Sequence, residues 1–307
     1  YGLRFRIVVI DNCSYDQERL IDCIREYDPN ILNLYINNQN IGMYGNFNRG
    51  IEIAKSEWVA MLHDDDLISK YYFLNFKQIY SGLQKRQDIA YIKMTHFWVR
   101  SSDSDIISKY EDLYNQQPHY KTSKMFRIRK INYQFGGLDR LGDYGTPSCG
   151  VLFNRKIFLQ LGGFNEKNYP SEDAFFVERI VCQSKYKAYK TVGSYGYYIF
   201  DMNASFKEHT IIGFIDKAYE YYKYAQKRDK LTFIIFKLFG NEACYEYKKW
   251  VEGLITSSQS IEDKERLYRY VDDVLGYPIY RKSHMCVFKL INRFINWVQR
   301  KCAMELN

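Results

Sequence analysis

No C-x-x-C pair occurs among the seven cysteines of this 307-residue sequence, and their number is odd. Cys13, Cys23, Cys149, Cys182, Cys244, Cys286 and Cys302 are scattered along the chain. That spacing argues against a disulfide framework and a zinc cluster, and it fits a reducing cytoplasm. No apolar run approaches the roughly 18 residues needed to span a bilayer, and no secretory leader opens the sequence. The expected location is the cytoplasm, free or peripheral on the inner face of the cell membrane. Internal repeats and low-complexity linkers are also missing, and the length can hold one large domain or one domain plus a helical appendage.

What is present is a globular composition, 46% hydrophobic and 26% charged, able to bury a core. Aromatic residues reach 18%, with 30 Tyr and 20 Phe. Such side chains suit sugar stacking and equally fill half-buried positions. The net charge of +8 gives a general attraction to anionic partners such as nucleic acid, sugar nucleotides or a membrane surface.

Strand and helix alternate through the first hundred residues. Phe5 to Ile10 is a continuous apolar strand of the kind covered on both faces. Ser14 with Gln17 resembles a capping box opening a helix that runs to about Tyr27, before Pro29. Leu32 to Ile36 reads as a strand, and Asn40-Ile41-Gly42 turns into a helix carrying Phe47, Ile51 and Ala54. Trp58 to Leu62 is the third strand, Ser69 caps a helix through Gly82, and Ile89 to Met94 is a further strand. This alternation predicts a parallel sheet with right-handed crossovers. From about Ser101 to Gly142 the chain turns polar, either a substrate-facing insertion or a long surface loop. Cys149 to Phe153 is a short strand, a helix from Arg155 ends at Gly162-Gly163, another begins near Ser171, and Tyr186 to Phe200 is strand. Helices near 214–229, 231–257, 260–275 and 284–304 form a second region.

The most informative feature is Leu62-His63-Asp64-Asp65-Asp66, three consecutive carboxylates directly after an apolar strand. Ending a buried strand on negative charge is costly unless a positive partner meets it. A hard divalent cation bearing a phosphate-containing substrate is one such partner; a solvated acidic turn is the plainer alternative. Ligands gather at the carboxyl ends of strands in such sheets, where Asp11 and Asp64–Asp66 both fall.

With these positions placed, residues 5–205 resemble a family 2 inverting glycosyltransferase of the GT-A fold, of the bacterial polysaccharide type. Asn40-Ile-Gly-Met-Tyr-Gly-Asn-Phe-Asn48 and Ala54-Lys-Ser-Glu-Trp-Val-Ala-Met-Leu-His-Asp-Asp-Asp66 carry the first motif. Gly150-Val-Leu-Phe-Asn-Arg155, Leu161-Gly-Gly-Phe-Asn-Glu166 and Ser171-Glu172-Asp173 carry the second, about a hundred residues later. The resemblance implies a mixed, mainly parallel GT-A (Rossmann-like) sheet flanked by helices, with the family's first strand absent. Residues 1–210 form that domain, its nucleotide-sugar half at about 1–100 and its acceptor half at about 101–210. A C-terminal helical region covers 211–307. His63 stands where the family's acidic motif often has a carboxylate, a familiar variant. Asp201, ahead of Ser205, stands where a His is common.

The implied reaction displaces a nucleoside diphosphate, UDP by default, from an activated sugar by a hydroxyl of a glycan or lipid-linked acceptor. Family roles carried over make Asp65 the ligand of Mg²⁺ or Mn²⁺ and place Asp64 on the ribose, with Asp66 assisting. Asp11 binds the nucleobase, and Asn40, Gly42, Asn46 and Asn48 line the donor pocket. Asp173 is the general base that makes the reaction inverting, and Glu172 beside it binds the acceptor. Simpler readings stand beside these: Asp11 as a turn residue, Gly42 as backbone punctuation, and Glu172 and Asp173 as acids favoured in a helix's first turn. Asp201 and His209 are further metal-ligand candidates.

The tail Met285 to Lys301 is amphipathic, with Lys289, Arg293, Arg300 and Lys301 on or beside its polar side. It suits an anionic membrane interface and equally suits packing on preceding helices. Three rival readings remain. A pyrophosphorylase needs a glycine-rich phosphate loop that does not occur near the start. A nuclease needs clustered Lys and Arg beside Asp64, which are absent, so no nucleic-acid partner is expected. An inactive sugar-nucleotide-binding or scaffold protein of the same fold is the third, distinguished by loss of metal-dependent nucleotide binding.

Overall fold

The apolar run Ile7–Asp11 forms β1 and pairs in parallel with β2, Leu32–Ile36, in the register Ile7 to Leu32 through Asp11 to Ile36. The coordinates are a computed structural model that describes residues 4–83, 86–99, 127–130, 150–182, 185–199, 204–226 and 230–276, with isolated positions elsewhere. Helix α1, Gln17–Arg25, crosses between the two strands. It starts later than the Ser14–Gln17 pattern predicts, because the Ser14 N–H turns back to the Asp11 carboxylate. Asp16 becomes the cap, its carboxylate accepting from the Arg19 N–H at 3.4 Å.

Helix α2, Met43–Ile53, leads to β3, Trp58–Met61. A two-residue strand missed in the sequence, β4 at Leu67–Ile68, precedes α3, Tyr71–Leu83, and β5, Ile89–Val99. The second half supplies β6, Arg127–Lys130; β7, Val151–Asn154; α4, Arg155–Gln160; α5, Glu172–Cys182; and β8, Lys187–Ile199. Then follow α6, Glu208–Gln226; α7, Lys230–Ser257; α8, Lys264–Leu275; and β9, Met304–Glu305.

The larger sheet runs β3-β7-β5-β8-β6-β9, with β4 joined to β8. It is mixed as expected, but the expected parallel majority is corrected. Among the described strands only β1 with β2 and β5 with β8 are parallel, while β7, β4, β6 and β9 pair antiparallel. The cause is β7. The β3-α3-β5 crossover read from the sequence exists, but β7 arrives from the second half and threads between β3 and β5 in the opposite sense.

Apolar side chains close both faces of the sheet. Phe153, Phe158, Phe164 and Phe176 pack with Ile51 and Tyr44 on one side, and Trp58, Tyr72, Ile79 and Ile92 pack on the other. Beyond them α6, α7 and α8 build a separate cluster from Ile211, Ile215, Val251, Ile255, Leu267 and Val271, which takes in Ala174 and Phe175 of α5. The helical region therefore rests directly on the element carrying Asp173. No helix among the described residues is long and apolar enough to cross a membrane. Most of the polar stretch 101–142 and of the tail 284–304, together with Asp201, lies outside the described residues.

Candidate active site

The acidic block leaves the sheet at the end of β3, where alternation puts Met61 in the core and leaves Leu62 exposed. Asp66 is buried, its Oδ1 accepting from the Ile199 N–H of β8 at 3.4 Å. His63 stacks flat on Phe47 of α2, ring centroids 5.0 Å apart, and its Nδ1 lies 3.9 Å from Asp66 Oδ2. One ligand atom from each of His63, Asp65 and Asp66 falls within 4.8 Å of the others, while Asp64 points out to solvent. His63 Nε2 and Asp65 Oδ1 are buried without a hydrogen-bond partner.

Burial lowers the imidazole pKa of His63, with Asp65 and Asp64 opposing, so the ring is a neutral nitrogen donor. Burial raises the Asp65 carboxyl, with His63 opposing and Asp64 adding. Two carboxylates, a neutral imidazole and orphaned donor atoms fit Mn²⁺, or Mg²⁺ through the oxygens. The group thus includes Asp65, expected as the ligand, and Asp66, expected to assist, adds His63, and leaves Asp64 outside.

Asp173 stands in the first turn of α5, partly exposed, with Oδ1 accepting from the Ala174 N–H at 2.8 Å. Burial pushes its carboxyl up to about 7, while the Ala174 N–H and the positive charge of Lys93 draw it down and Glu172 pushes it up. A carboxyl near neutrality can hold or take a proton at working pH. Burial also raises the Tyr198 hydroxyl on β8, and the charges of Asp66, Asp65 and Asp173 all raise it further. The acidic block and Asp173 therefore act on one buried phenol.

Glu172 is placed differently from expectation. It is fully buried, with Oε1 2.7 Å from the Arg179 guanidinium and Oε2 accepting from Asn168 Nδ2 at 2.5 Å. Arg179 also donates to the Gly163 carbonyl at 2.5 Å. So held, the buried carboxylate ties the turn before α5 to Arg179 and Asn168.

The expected donor-pocket residues divide in the same way. Asn40 and Asn46 belong to an amide network at the carboxyl ends of β1 and β2. Asn12 Nδ2 donates to Asn40 Oδ1 at 2.9 Å, and Asn37 Nδ2 donates to Asn12 Oδ1 at 3.0 Å and to Asn46 Oδ1 at 2.9 Å. Asn37 Oδ1 is buried without a partner. Asp11 sits at the same end but is buried, accepting from the Ser14 N–H at 3.1 Å and from Gln17 Nε2 at 3.2 Å. Its carboxylate caps the turn into α1, as its turn chemistry allows.

Asn48 and Gly42 face the second motif. Asn48 brackets the backbone of Phe164, Nδ2 donating to its carbonyl and Oδ1 accepting from its N–H, both at 2.8 Å. Gly42 has φ of +80°, and a Cβ there would lie 2.7 Å from Glu166 Oε1. The Glu166 carboxylate accepts from the N–H groups of Tyr44 and Gly45 at 3.0 and 3.2 Å. At the other end of α2, Arg155 donates to the carbonyls of Ile51 and Glu52 at 2.9 and 2.8 Å. Sequence reading placed Tyr44, Arg155 and Glu166 in motifs without roles and missed Asn37, Arg179 and Tyr198. Only Glu166 had a local signal, an acid after a Gly-Gly turn. His209 stacks on Tyr169 with centroids 6.3 Å apart and is not a member of the His63, Asp65 and Asp66 group.

The profile of glycosyl transferase family 2 matches residues 1–158. Among solved structures, the chain is similar to S. aureus TarS 1–349 in complex with UDP-GlcNAc, with 13% identity over 93% of this chain and 83% of that one, at a TM-score of 0.46. It is also similar to the mannosyltransferase PcManGT of Pyrobaculum calidifontis in complex with GDP-Man and Mn²⁺, with 12% identity over 93% and 77% of the two chains, at a TM-score of 0.49. No curated protein matches the sequence.

Proposed function

The chain belongs to glycosyl transferase family 2 and is a glycosyltransferase, and from that premise we propose an inverting, cation-assisted sugar transfer. The donor is a nucleoside-diphosphate sugar, UDP-linked by default, and the acceptor is a hydroxyl of a glycan or lipid-linked saccharide in cell-envelope polysaccharide synthesis. The observation that carries this reading is the cluster of His63, Asp65 and Asp66 at the end of β3, whose two carboxylates act on the same Tyr198 hydroxyl as Asp173 does. A group that handles the leaving diphosphate and a group that handles the attacking hydroxyl must bracket one sugar ring, and the charges of both candidate groups reach one phenol.

Asp65 and Asp66, joined by His63, would hold Mn²⁺ or Mg²⁺. When bound, the cation offsets the negative charge that develops on the leaving diphosphate. Exposed Asp64 is free to meet ribose hydroxyls, and Asn40 and Asn46 face the same strand ends. Asp173, its proton affinity set near neutrality by burial, accepts the acceptor's proton as the new bond forms. A base opposite the leaving group inverts the anomeric centre, by the geometric logic established for glycosidases. The C-terminal helical region, resting on α5, would lie toward the acceptor, and the tail would supply any peripheral contact with the inner membrane face.

A donor screen that detects released nucleoside diphosphate tests the reading, run with the wild type, Asp65→Ala and Asp173→Ala. Both variants lose turnover, and Asp173→Ala keeps UDP binding in the presence of Mn²⁺. Full turnover in Asp173→Ala would remove the base from the scheme.

A further inference from the structure

Helix α5 begins with an unusual cap. Its first-turn N–H groups need partners, and the Glu172 N–H finds one in the hydroxyl of Tyr44, 128 positions earlier, at 3.1 Å. That hydroxyl donates in turn to the Pro170 carbonyl at 2.7 Å. Burial, seconded by the charge of Asp173, raises the Tyr44 hydroxyl well above the ordinary phenol value, so it keeps the proton it donates. The exchange is mutual. The amino end of α2, where Tyr44 sits, is capped by the Glu166 carboxylate from the loop that leads into α5. One turn on, Asn48 holds both backbone groups of Phe164, and Tyr44 packs on the Phe164 ring with centroids 5.4 Å apart.

We propose that Tyr44 and Glu166 are positioning residues for Asp173. Each caps the helix to which the other element is attached, and together they fix the first turn of α5 against α2. This rests on the reading of Asp173 as the base. Helix α2 also carries Phe47, which stacks on His63. One rigid helix therefore sets the acidic block and the base loop relative to each other. A displacement on the order of 1 Å is enough to cost about a hundredfold in rate.

Among the described residues, the titratable and charged groups whose electrostatics couple to Asp173 include Lys93 from β5, Glu172 from its own helix, Tyr44 from α2 and Tyr198 from β8. Loosening the cap admits water to the carboxyl and moves its titration back toward the ordinary carboxylate range.

The test is a ¹³C-NMR titration of the Asp173 carboxyl in the full chain, assigned with Asp173→Asn, beside UDP–Mn²⁺ calorimetry and turnover with the donor found in the screen. Tyr44→Phe lowers the midpoint by about one pH unit and reduces kcat about tenfold or more, with UDP affinity and donor KM within about twofold. Glu166→Ala acts in the same direction, and Glu166→Gln, which keeps an acceptor oxygen, recovers part of the loss. A wild-type midpoint and kcat in both Tyr44→Phe and Glu166→Ala overturn the proposal. So does parallel loss of UDP binding and turnover with the midpoint unmoved, which marks plain destabilisation. If Asp173→Ala keeps turnover, the base reading fails while a shifted midpoint in Tyr44→Phe still shows the clamp.

Discussion

The chemistry of single residues turns on how far burial moves their protons. As the proposed base, Asp173, held near 7, must be ionised to accept a proton, so kcat/KM is expected to fall as pH drops below about 7, roughly tenfold per unit. A pH-rate profile with an acid limb at the ordinary carboxylate value would contradict this. Stability carries the opposite sign. Unfolded, the carboxyl ionises near 4; folded, it keeps its proton to about 7. Between those values the native state binds more protons, so stability falls as pH rises through the window and stays at its lower level above it. Asp173→Asn removes that penalty. We expect it to be inactive and, by urea denaturation at pH 8, more stable than wild type, with the gain vanishing near pH 4. At the acidic block, Asp65→Ala abolishes the Mn²⁺-dependent increment in UDP affinity, measured by calorimetry with and without chelator. Which residues bear charge was legible in the sequence, because an acidic triplet after an apolar run is local. Which of them are reachable was not: Glu172 looks like its neighbour in sequence yet is sealed by Arg179 and Asn168.

Helix α2 shows what becomes visible at the scale of elements. Its eleven residues span about 16 Å, with a carboxylate from Glu166 at the amino end and a guanidinium from Arg155 at the carboxyl end. Both charges complement the helix macrodipole, and both come from the second motif. The two motifs thus meet across a single helix. Removing Arg155 frees two carbonyls, and Arg155→Ala costs about 1–3 kcal/mol in urea denaturation. Asn48→Ala strands both backbone groups of Phe164 at a similar cost of about 1–3 kcal/mol. An unchanged midpoint in either variant would show that α2 is held by its apolar face alone. The helix itself was readable from Phe47, Ile51 and the turn at Gly42. Its polar contacts were not, since partners more than a hundred residues away leave no periodicity.

At the scale of the whole molecule, the strand and helix order was legible and the sheet's direction was not. Periodicity reports that Val151–Asn154 is a strand; it says nothing of where the chain re-enters the sheet or in which sense. The boundary near 210 was placed where the spacing turns amphipathic, with the first helix expected near 214; α6 starts earlier, at Glu208. Its core, however, includes Ala174 and Phe175 from α5. Shortening that core is therefore felt at Asp173. Ile255→Ala, at a fully buried position, costs about 2–5 kcal/mol and unfolds with the rest of the chain in one transition. Two separated transitions would show that the helical region folds independently.

One consequence follows from the acid lodged at the start of α2. The positive pole of a helix is where nucleotide-binding folds commonly seat a phosphate. In this molecule that pole is already occupied by a carboxylate of the chain itself. Under the proposed reaction an incoming pyrophosphoryl group would be turned away from it, its recognition would pass to the aspartates beyond β3, and nucleotide retention is then expected to vary with the ionic composition of the medium rather than rest on a fixed backbone dipole.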